Sequence, residues 1–133
     1  MPAATNDMRF LLDTVVLIYA VEVPDLLSER ATAAVQDLNN ALELSAISVT
    51  EIAIKAGLNK LAFSAATLNK ALEELGIRVL PYKSDHAFNL FGLPRHHDDP
   101  FDRQIISQAL CEQIPVVTPD QKFSLYKGLS ILW

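Results

Sequence analysis

Residues 9–14 read RFLLDT, in which three large apolar side chains are followed by an aspartate and a threonine. A short apolar run with a helical pattern from Thr14 to about Val21 directly behind it indicates a buried strand that leads straight into a helix. The same alternation recurs along the chain. Because alternating strands and helices are typical of a parallel sheet covered on both faces, the sequence predicts the α/β class.

Four more strands are expected, at residues 44–47, 77–80, 116–118 and 129–132. The helical patterns between them fall at residues 24–39, 48–57, 65–75 and 84–90, and in a run that starts at Pro100. We expect right-handed crossovers to join the strands, so that their carboxyl ends share one edge of the sheet.

The length and composition fit one domain. The chain has 133 residues, 50% of them hydrophobic, and no linker-like stretch, so we expect one domain over residues 1–133 with a loose tail at residues 1–7. The apolar run over residues 10–23 is broken by two acids and is too short to cross a membrane, and the N-terminus lacks a signal-peptide pattern. We therefore expect a soluble, cytoplasmic protein.

Cysteine and charge limit the classes of function. Cys111 is the sole cysteine, so neither an intramolecular disulfide nor a thiolate zinc cluster can form within one chain, and we expect a buried, inert thiol. The net charge of −5 argues against binding nucleic acid by bulk electrostatics. Lysines and arginines could still line one rim, and an acidic chain suits a basic protein partner.

Four acids stand where a strand or loop passes into a helix or turn, namely Asp13, Glu51, Asp102 and Asp120. Since the carboxyl ends of parallel strands and the N-termini of helices meet at one crevice of an α/β sheet, these acids can converge. Mg²⁺ and Mn²⁺ prefer oxygen ligands and keep several waters, so a few carboxylates on a rigid sheet suit them. The pattern predicts one divalent-metal site.

Asp102 is the acid whose position is least expected for a structural residue. Residues three, four and seven positions after it are Ile105, Ile106 and Ala109, the apolar face of the predicted helix, so Asp102 should point inward. A buried carboxylate is costly without a cation or good hydrogen bonds. The alternative is a first-turn acid that interacts with the helix dipole.

The other three acids have structural alternatives too. Asp13 can be the N-cap of the helix that follows it, and Asp120 can cap a short turn. Glu51 can form a capping box with Ser48 and an i,i+4 ion pair with Lys55. These alternatives remain open at the level of the sequence.

Residues 96–99 read HHDD, which superficially resembles a run of zinc ligands. Adjacent histidines in a loop seldom face one ion, and the His-x-x-x-His spacing of a helical zinc site is absent, so we interpret this segment as a solvated loop. The sequence also lacks a Gly-x-Ser-x-Gly elbow, a P-loop and a dinucleotide fingerprint.

Four stretches in a fixed order resemble the PIN-domain ribonucleases and, among them, the VapC-type toxins of toxin–antitoxin pairs. They are FLLDT at residues 10–14, SVTEIAIK at 48–55, HHDDPFDR at 96–103 and VVTPD at 116–120. An apolar helix follows the third stretch, and ILW closes the chain. Each motif is weak alone, but their order in a chain of this length makes a specific resemblance over nearly the whole sequence.

The resemblance implies a three-layer α/β/α sandwich with a mostly parallel sheet, and RNA cleavage by water that a divalent metal activates. Asp13, Glu51, Asp102 and Asp120 match the acidic positions of the family one by one. A homodimer is implied, as is an inhibitory VapB-like antitoxin whose basic tail can reach the acidic cleft.

Three smaller points follow from the same resemblance. Thr14 and Thr118 match supporting polar positions that orient the acids or a metal-bound water. Val15 stands where toxins of this kind often have a histidine. This departure leaves the proposed metal ligands unchanged but affects a contact on the substrate side.

The leading hypothesis is an endoribonuclease that depends on Mg²⁺ or Mn²⁺. Asp13 would be the central ligand, Asp102 and Asp120 would complete the metal shell directly or through water, and Glu51 would position or activate the attacking water. The candidates for phosphate contact are Lys55 and Arg103.

Two other classes of function remain. Asp13 after a first strand also resembles the phosphoryl-accepting aspartate of phosphatase and receiver folds, although the second acid expected two residues on is Val15. Alternatively, the acids only cap helices, and the chain is a non-catalytic PIN-like binding module. Metal binding discriminates this last class from the first.

Overall fold

The strand predicted from the stretch RFLLDT is the central strand of the sheet. In the computed structural model, which describes residues 8–133, the strands are β1 Arg9–Leu12, β2 Ala41–Ser45, β3 Ile77–Leu80, β4 Val116–Val117 and β5 Ile131–Leu132. They stand in the order β3-β2-β1-β4-β5, and every neighbouring pair is parallel. The predicted α/β class is confirmed. The tail expected at residues 1–7 lies outside the described residues.

Helices cover both faces of the sheet, because the side chains of β1 alternate between two apolar cores. Phe10 and Leu12 point into one core together with Leu17. Leu11 points into the other core, which contains Ile105. A strand buried on both faces needs an unbroken apolar run, and this is why β1 carries no polar residue between its ends.

Six α-helices lie in the described residues: α1 Thr14–Glu22, α2 Glu29–Gln36, α3 Ala46–Gly57, α4 Ala65–Leu75, α5 Ser84–Phe88 and α6 Pro100–Glu112. Short 3-10 helices occupy Pro24–Leu26, Asn89–Gly92 and Gln121–Leu125. Helix α4 has the predicted bounds. It ends at Gly76, whose φ of +67° is the left-handed conformation that glycine adopts readily.

Two predicted helices are interrupted. The helix expected over residues 24–39 is a 3-10 turn followed by α2, because the side chain of Ser28 caps a new helix by accepting a hydrogen bond from the Ala31 N–H at 3.0 Å. The helix expected over residues 84–90 changes to a 3-10 turn after Phe88. The predicted boundaries were wrong at both places, although helical structure is present.

Helix α3 starts one turn earlier than predicted. Ser45 ends β2, and its Oγ accepts a hydrogen bond from the Ile47 N–H at 2.9 Å, so Ser45 is the N-cap of α3. The strand expected at residues 44–47 therefore lies earlier, at Ala41–Ser45. The capping box predicted for Ser48 and Glu51 is wrong. Both residues lie inside the helix and are buried.

Two further sequence expectations concern α6 and the membrane. Cys111 is exposed rather than buried, since two residues along a helix rotate it by about 200° from the buried Ala109. Among residues 8–133, no helix combines the length and the apolar composition that crossing a membrane requires.

The strand order places a crevice at the carboxyl end of β1. From β1 the chain moves outward through β2 to β3 and then returns to the other side of β1 to form β4. This reversal is a topological switch point, and the loops that leave β1 and β4 diverge there. In open α/β sheets, ligands bind in such a crevice. Asp13 and Thr118 are the first residues after the two strands.

Candidate metal centre

Asp13 and Thr118 join the two sides of the crevice. The Thr118 hydroxyl donates a hydrogen bond of 2.7 Å to Oδ2 of Asp13, and both side chains are buried. Asp13 is the N-cap residue of α1, but its side chain makes no capping hydrogen bond. The carboxylate is therefore held from across the crevice and is not used to cap the helix, in contrast to the structural alternative.

Glu51 reaches the same crevice from the second turn of α3. Its Oε2 accepts a hydrogen bond of 2.7 Å from Nζ of Lys55, so the predicted i,i+4 ion pair is present. Its Oε1 is buried and has no hydrogen-bond partner in the described residues. A buried carboxylate oxygen without a partner is rare and calls for an explanation, such as a cation or an ordered water.

Asp102 lies in the first turn of α6, and another acid caps that helix. Asp99 accepts hydrogen bonds at its Oδ1 from the N–H groups of Phe101 and Asp102, at 2.9 and 3.0 Å. The side chain of Asp102 is therefore free for another purpose. It points into the crevice with 22% of its surface exposed, in agreement with the predicted inward direction.

Asp120 follows Thr118 in the loop after β4. Its Oδ1 accepts a hydrogen bond of 2.9 Å from the Lys122 N–H and caps the short 3-10 helix, as the structural alternative predicted. Its own N–H donates to Oγ1 of Thr118 at 3.0 Å. Thr118 thus fixes Asp13 and the backbone of Asp120 together. Capping does not remove Asp120 from the crevice, which it also lines.

All four predicted acids line one cleft of about 280 Å³. Thr14, Val15, Lys55 and Asp99 line it too. Thr14 supports the cleft indirectly, because its hydroxyl donates a hydrogen bond of 2.8 Å to Oγ of Ser48 and so ties the start of α1 to α3. The structure brings together acids that are up to 107 positions apart in the sequence, Asp13 and Asp120.

The acids repel one another. Burial raises the pKa of Asp13 to about 6; the hydrogen bond from Thr118 offsets part of this rise and the charge of Glu51 adds to it. Burial, together with the charges of Asp13 and Asp99, raises the pKa of Asp102 to about 7. Lys55 is the one cation among the residues that line the cleft. This excess of negative charge is relieved when a cation binds.

The donor set fits a divalent cation. Several carboxylate oxygens face one space, one buried oxygen of Glu51 has no partner, and two carboxyl groups have raised pKa values. Hard divalent cations such as Mg²⁺ and Mn²⁺ are held by a few carboxylates of this kind, with water in the remaining positions. Asp13, Asp102 and Asp120 are the residues that would hold it.

The two residues predicted to contact phosphate lie in different surroundings. Arg103 is buried, and its guanidinium donates to the carbonyl oxygens of Pro94 and Leu93 at 2.8 and 3.2 Å. These bonds hold the loop ahead of α6, and Arg103 is not among the residues that line the cleft. Lys55 stays at the rim of the cleft with 46% of its side chain exposed.

Sequence reasoning missed His97. The segment of residues 96–99 was interpreted as solvated, and Asp98 is indeed exposed, but only 7% of the His97 side chain is exposed. Its ring lies against Tyr126 and Phe123 and approaches Asp102. The adjacent histidines were the available signal. No local pattern indicated the contact with Tyr126, which lies 29 positions later.

Comparisons with known proteins agree with this fold. The structure of VapBC2 from Rickettsia felis bound to a promoter DNA fragment superposes with a TM-score of 0.73 at 20% identity, over 94% of this chain and 98% of that chain. DNA-bound VapBC from Salmonella typhimurium gives 0.69 at 19% identity, over 94% and 97%. VapBC-5 from Mycobacterium tuberculosis gives 0.60 at 19% identity, over 93% and 97%. At these identities, the likeness establishes the fold.

A family model establishes more. Comparison with curated proteins gave no match. The model of the PIN domain, however, matches residues 10–129, which is most of the chain and includes all four acids. The order of motifs, the parallel sheet and the match to the model agree, and the chain belongs to the PIN domain family.

Proposed function

We propose that this protein is an endoribonuclease that depends on Mg²⁺ or Mn²⁺ and acts as a VapC-type toxin. The observation that carries the proposal is the convergence of Asp13, Glu51, Asp102 and Asp120 on one cleft at the switch point of the sheet, with too few cations to balance them. Membership of the PIN domain family supports nuclease activity. RNA as the substrate rests on the resemblance to VapC-type toxins.

Each acid of the cleft would have its own role in catalysis. Asp13, held by Thr118, would be the central metal ligand, with Asp102 and Asp120 beside it. When bound, the divalent metal lowers the pKa of its water and stabilises the charge that develops on a phosphate during an in-line displacement. Oε1 of Glu51 has no hydrogen-bond partner among residues 8–133, so it is available to orient a water or accept its proton.

Lys55 completes the proposed site. Its ammonium group lies 2.7 Å from Oε2 of Glu51, and its side chain is about half exposed at the rim of the cleft. It can therefore hold Glu51 in place and also interact with an incoming phosphate. The 13-residue helix α6 and the strand β1 supply a rigid frame, so the acids are positioned before the substrate arrives.

The proposed partners follow the same resemblance. The structures from Rickettsia felis and Salmonella typhimurium are VapBC bound to DNA, which supports a VapB-like antitoxin as the partner of this chain. The net charge of −5 suits a basic segment of such a partner. We also propose that the chain forms one PIN-like domain over residues 1–133, that it is a homodimer and that it acts in the cytoplasm.

The direct test is RNA cleavage with Mn²⁺, with EDTA, and in Asp13→Asn. Activity should require the metal and fall by at least about 100-fold in Asp13→Asn, because the variant loses a ligand charge at the position that stabilises the transition state. The matched control is Asp98→Asn, since Asp98 is 87% exposed and lies outside the cleft. Activity that survives both EDTA and Asp13→Asn would sink the proposal.

A further inference from the structure

The side chain of His97 is buried beside the acids, and no structural role is evident for its Nε2 atom. Only 7% of its side chain is exposed, and Nε2 has no hydrogen-bond partner in the described residues. Oδ2 of Asp102 lies 3.6 Å from Nε2, which is too far for a hydrogen bond. A buried ring nitrogen without a partner carries a free-energy cost, which a ligand at this place would remove.

Nε2 of His97 points to a space that two acids share. One nitrogen of His97 and one oxygen each from Asp102 and Asp120 lie within 4.8 Å of one another. Three donor atoms at such separations can contact one cation after a small adjustment of the side chains. The three residues come from different parts of the fold, namely the loop before α6, the first turn of α6 and the loop after β4.

Tyr126 holds the ring in the orientation that such a site needs. Its Oη lies 2.8 Å from Nδ1 of His97 and accepts a further hydrogen bond from the His96 N–H at 3.3 Å. When Nδ1–H donates to Tyr126, Nε2 keeps its lone pair and faces Asp102. A metal-binding histidine commonly donates its other N–H in this way, which fixes both the tautomer and the orientation of the ring.

We propose that Nε2 of His97 is a metal ligand, and that with Asp102 and Asp120 it forms a mixed nitrogen and oxygen site on one side of the acidic cleft. An imidazole ligand favours first-row transition metals, whereas Mg²⁺ prefers oxygen ligands alone. The ligand set therefore selects Mn²⁺ over Mg²⁺. The inference rests on the proposed function in one respect, that the cleft binds a divalent cation.

The test is pulsed electron paramagnetic resonance of Mn²⁺ bound to the full chain. We expect ¹⁴N modulation from a directly bound nitrogen in the wild type and in His96→Gln, and its loss in His97→Gln. His96 is a matched control, because it is the adjacent histidine and is exposed. In calorimetric titrations, His97→Gln should weaken Mn²⁺ binding by about tenfold or more and change Mg²⁺ binding by less than about twofold.

Three results would overturn the inference: no binding of Mn²⁺, Mn²⁺ bound to the wild type without ¹⁴N modulation, or modulation that persists in His97→Gln. The measurement on the wild type decides the matter even if a variant fails to fold. RNA cleavage that depends on Mn²⁺ but shows no nitrogen ligand would remove this inference and leave the proposed function. Nitrogen-bound Mn²⁺ without RNA cleavage would do the opposite.

Discussion

The carboxylates at the two ends of β1 have opposite electrostatic surroundings. At the amino end, Glu43 accepts hydrogen bonds from Nε and Nη2 of Arg9 at 2.7 and 2.9 Å, and Glu112 accepts one from His86 at 2.9 Å. The bond from His86 lowers the pKa of Glu112. At the carboxyl end, burial raises the pKa of Asp13 to about 6 and that of Asp102 to about 7.

This difference in partners and pKa values distinguishes acids that stabilise the fold from acids that are suited to bind a ligand. Both ends bury carboxylates in the same small fold, so burial alone does not identify a functional site. The amino end supplies a charged partner for its acids, whereas Lys55 is the one cation among the residues that line the cleft at the carboxyl end, where Asp13 and Asp120 accept hydrogen bonds from neutral donors. A group of buried like charges persists only if the rest of the fold stabilises it or a ligand neutralises it.

The largest expected effect on stability comes from breaking the paired end. Arg9→Met leaves Glu43, whose side chain is 3% exposed, as an unpaired buried charge. We expect the free energy of unfolding to fall by about 2–3 kcal/mol, less than the roughly 3–5 kcal/mol typical of a fully buried pair, because Arg9 is itself partly exposed. Denaturation in urea measures it, at pH 7 and without metal.

The control for that experiment is Arg95→Met, which breaks an exposed pair with Asp98. Its effect should stay within about 0.5 kcal/mol. Equal losses for the two variants would contradict the view that the amino end of β1 carries the paired structural acids.

At the carboxyl end of β1, removing the charge of an acid should raise the free energy of unfolding and not lower it. The pKa of Asp102 is about 7 in the folded chain and 3.8 as its ordinary value, so the folded state binds more protons between these values. The metal-free wild type therefore loses stability as the pH rises from about 4 to about 7. Asp102→Asn removes this loss, and its free energy of unfolding should gain roughly 1–2 kcal/mol relative to the wild type between pH 4 and pH 8.

Urea denaturation at several pH values measures this gain. Asp98→Asn, on the exposed side of the same loop, is the control and should follow the wild type at every pH. A difference between Asp102→Asn and the wild type that is independent of pH would mean that Asp102 is not strained by burial and like charges.

A smaller loss of stability is expected when Thr118, which links the two sides of the crevice, is replaced. Thr118→Val keeps the shape of the side chain but removes the hydrogen bond to Asp13, at a cost of about 1 kcal/mol. Because Thr118 also fixes the backbone of Asp120, Mn²⁺ affinity should fall by about 10- to 100-fold. Thermal unfolding and metal titration measure the two effects.

The matched control is Thr50→Val, since the Thr50 hydroxyl donates to the carbonyl of Ala46 on the exposed side of α3. It should leave Mn²⁺ affinity unchanged. If the two variants bind Mn²⁺ equally well, the hydroxyl of Thr118 does not orient the acids.

The sequence predicted those parts of the molecule that local rules determine. The apolar run of β1 and the end of α4 at Gly76 follow from neighbouring residues, and both are present as expected. The start of α3 was predicted at Ser48 because Ser48 and Glu51 match the pattern of a capping box. Pairing of β2 with its neighbours decided in favour of Ser45.

The candidate site also combines features that the local sequence determines with features that tertiary contacts determine. The inward direction of Asp102 followed from helix periodicity, which is a local property. The burial of His97 depends on Tyr126, and the inward turn of Arg103 depends on carbonyls of the loop before α6. Contacts of this kind are set by the tertiary structure, so neither could be predicted from spacing along the chain.

The central claim is that the clustered acids of the cleft form a site for a divalent cation. It is tested most directly by calorimetric titration of Mn²⁺ at about pH 6.5 in buffers with different enthalpies of ionisation, with wild type and Asp13→Asn compared. Since the pKa values of Asp13 and Asp102 are about 6 and 7, saturable binding to the wild type should release about one proton, and Asp13→Asn should bind far more weakly. Absence of saturable binding, or equally tight binding to Asp13→Asn without proton release, would contradict it.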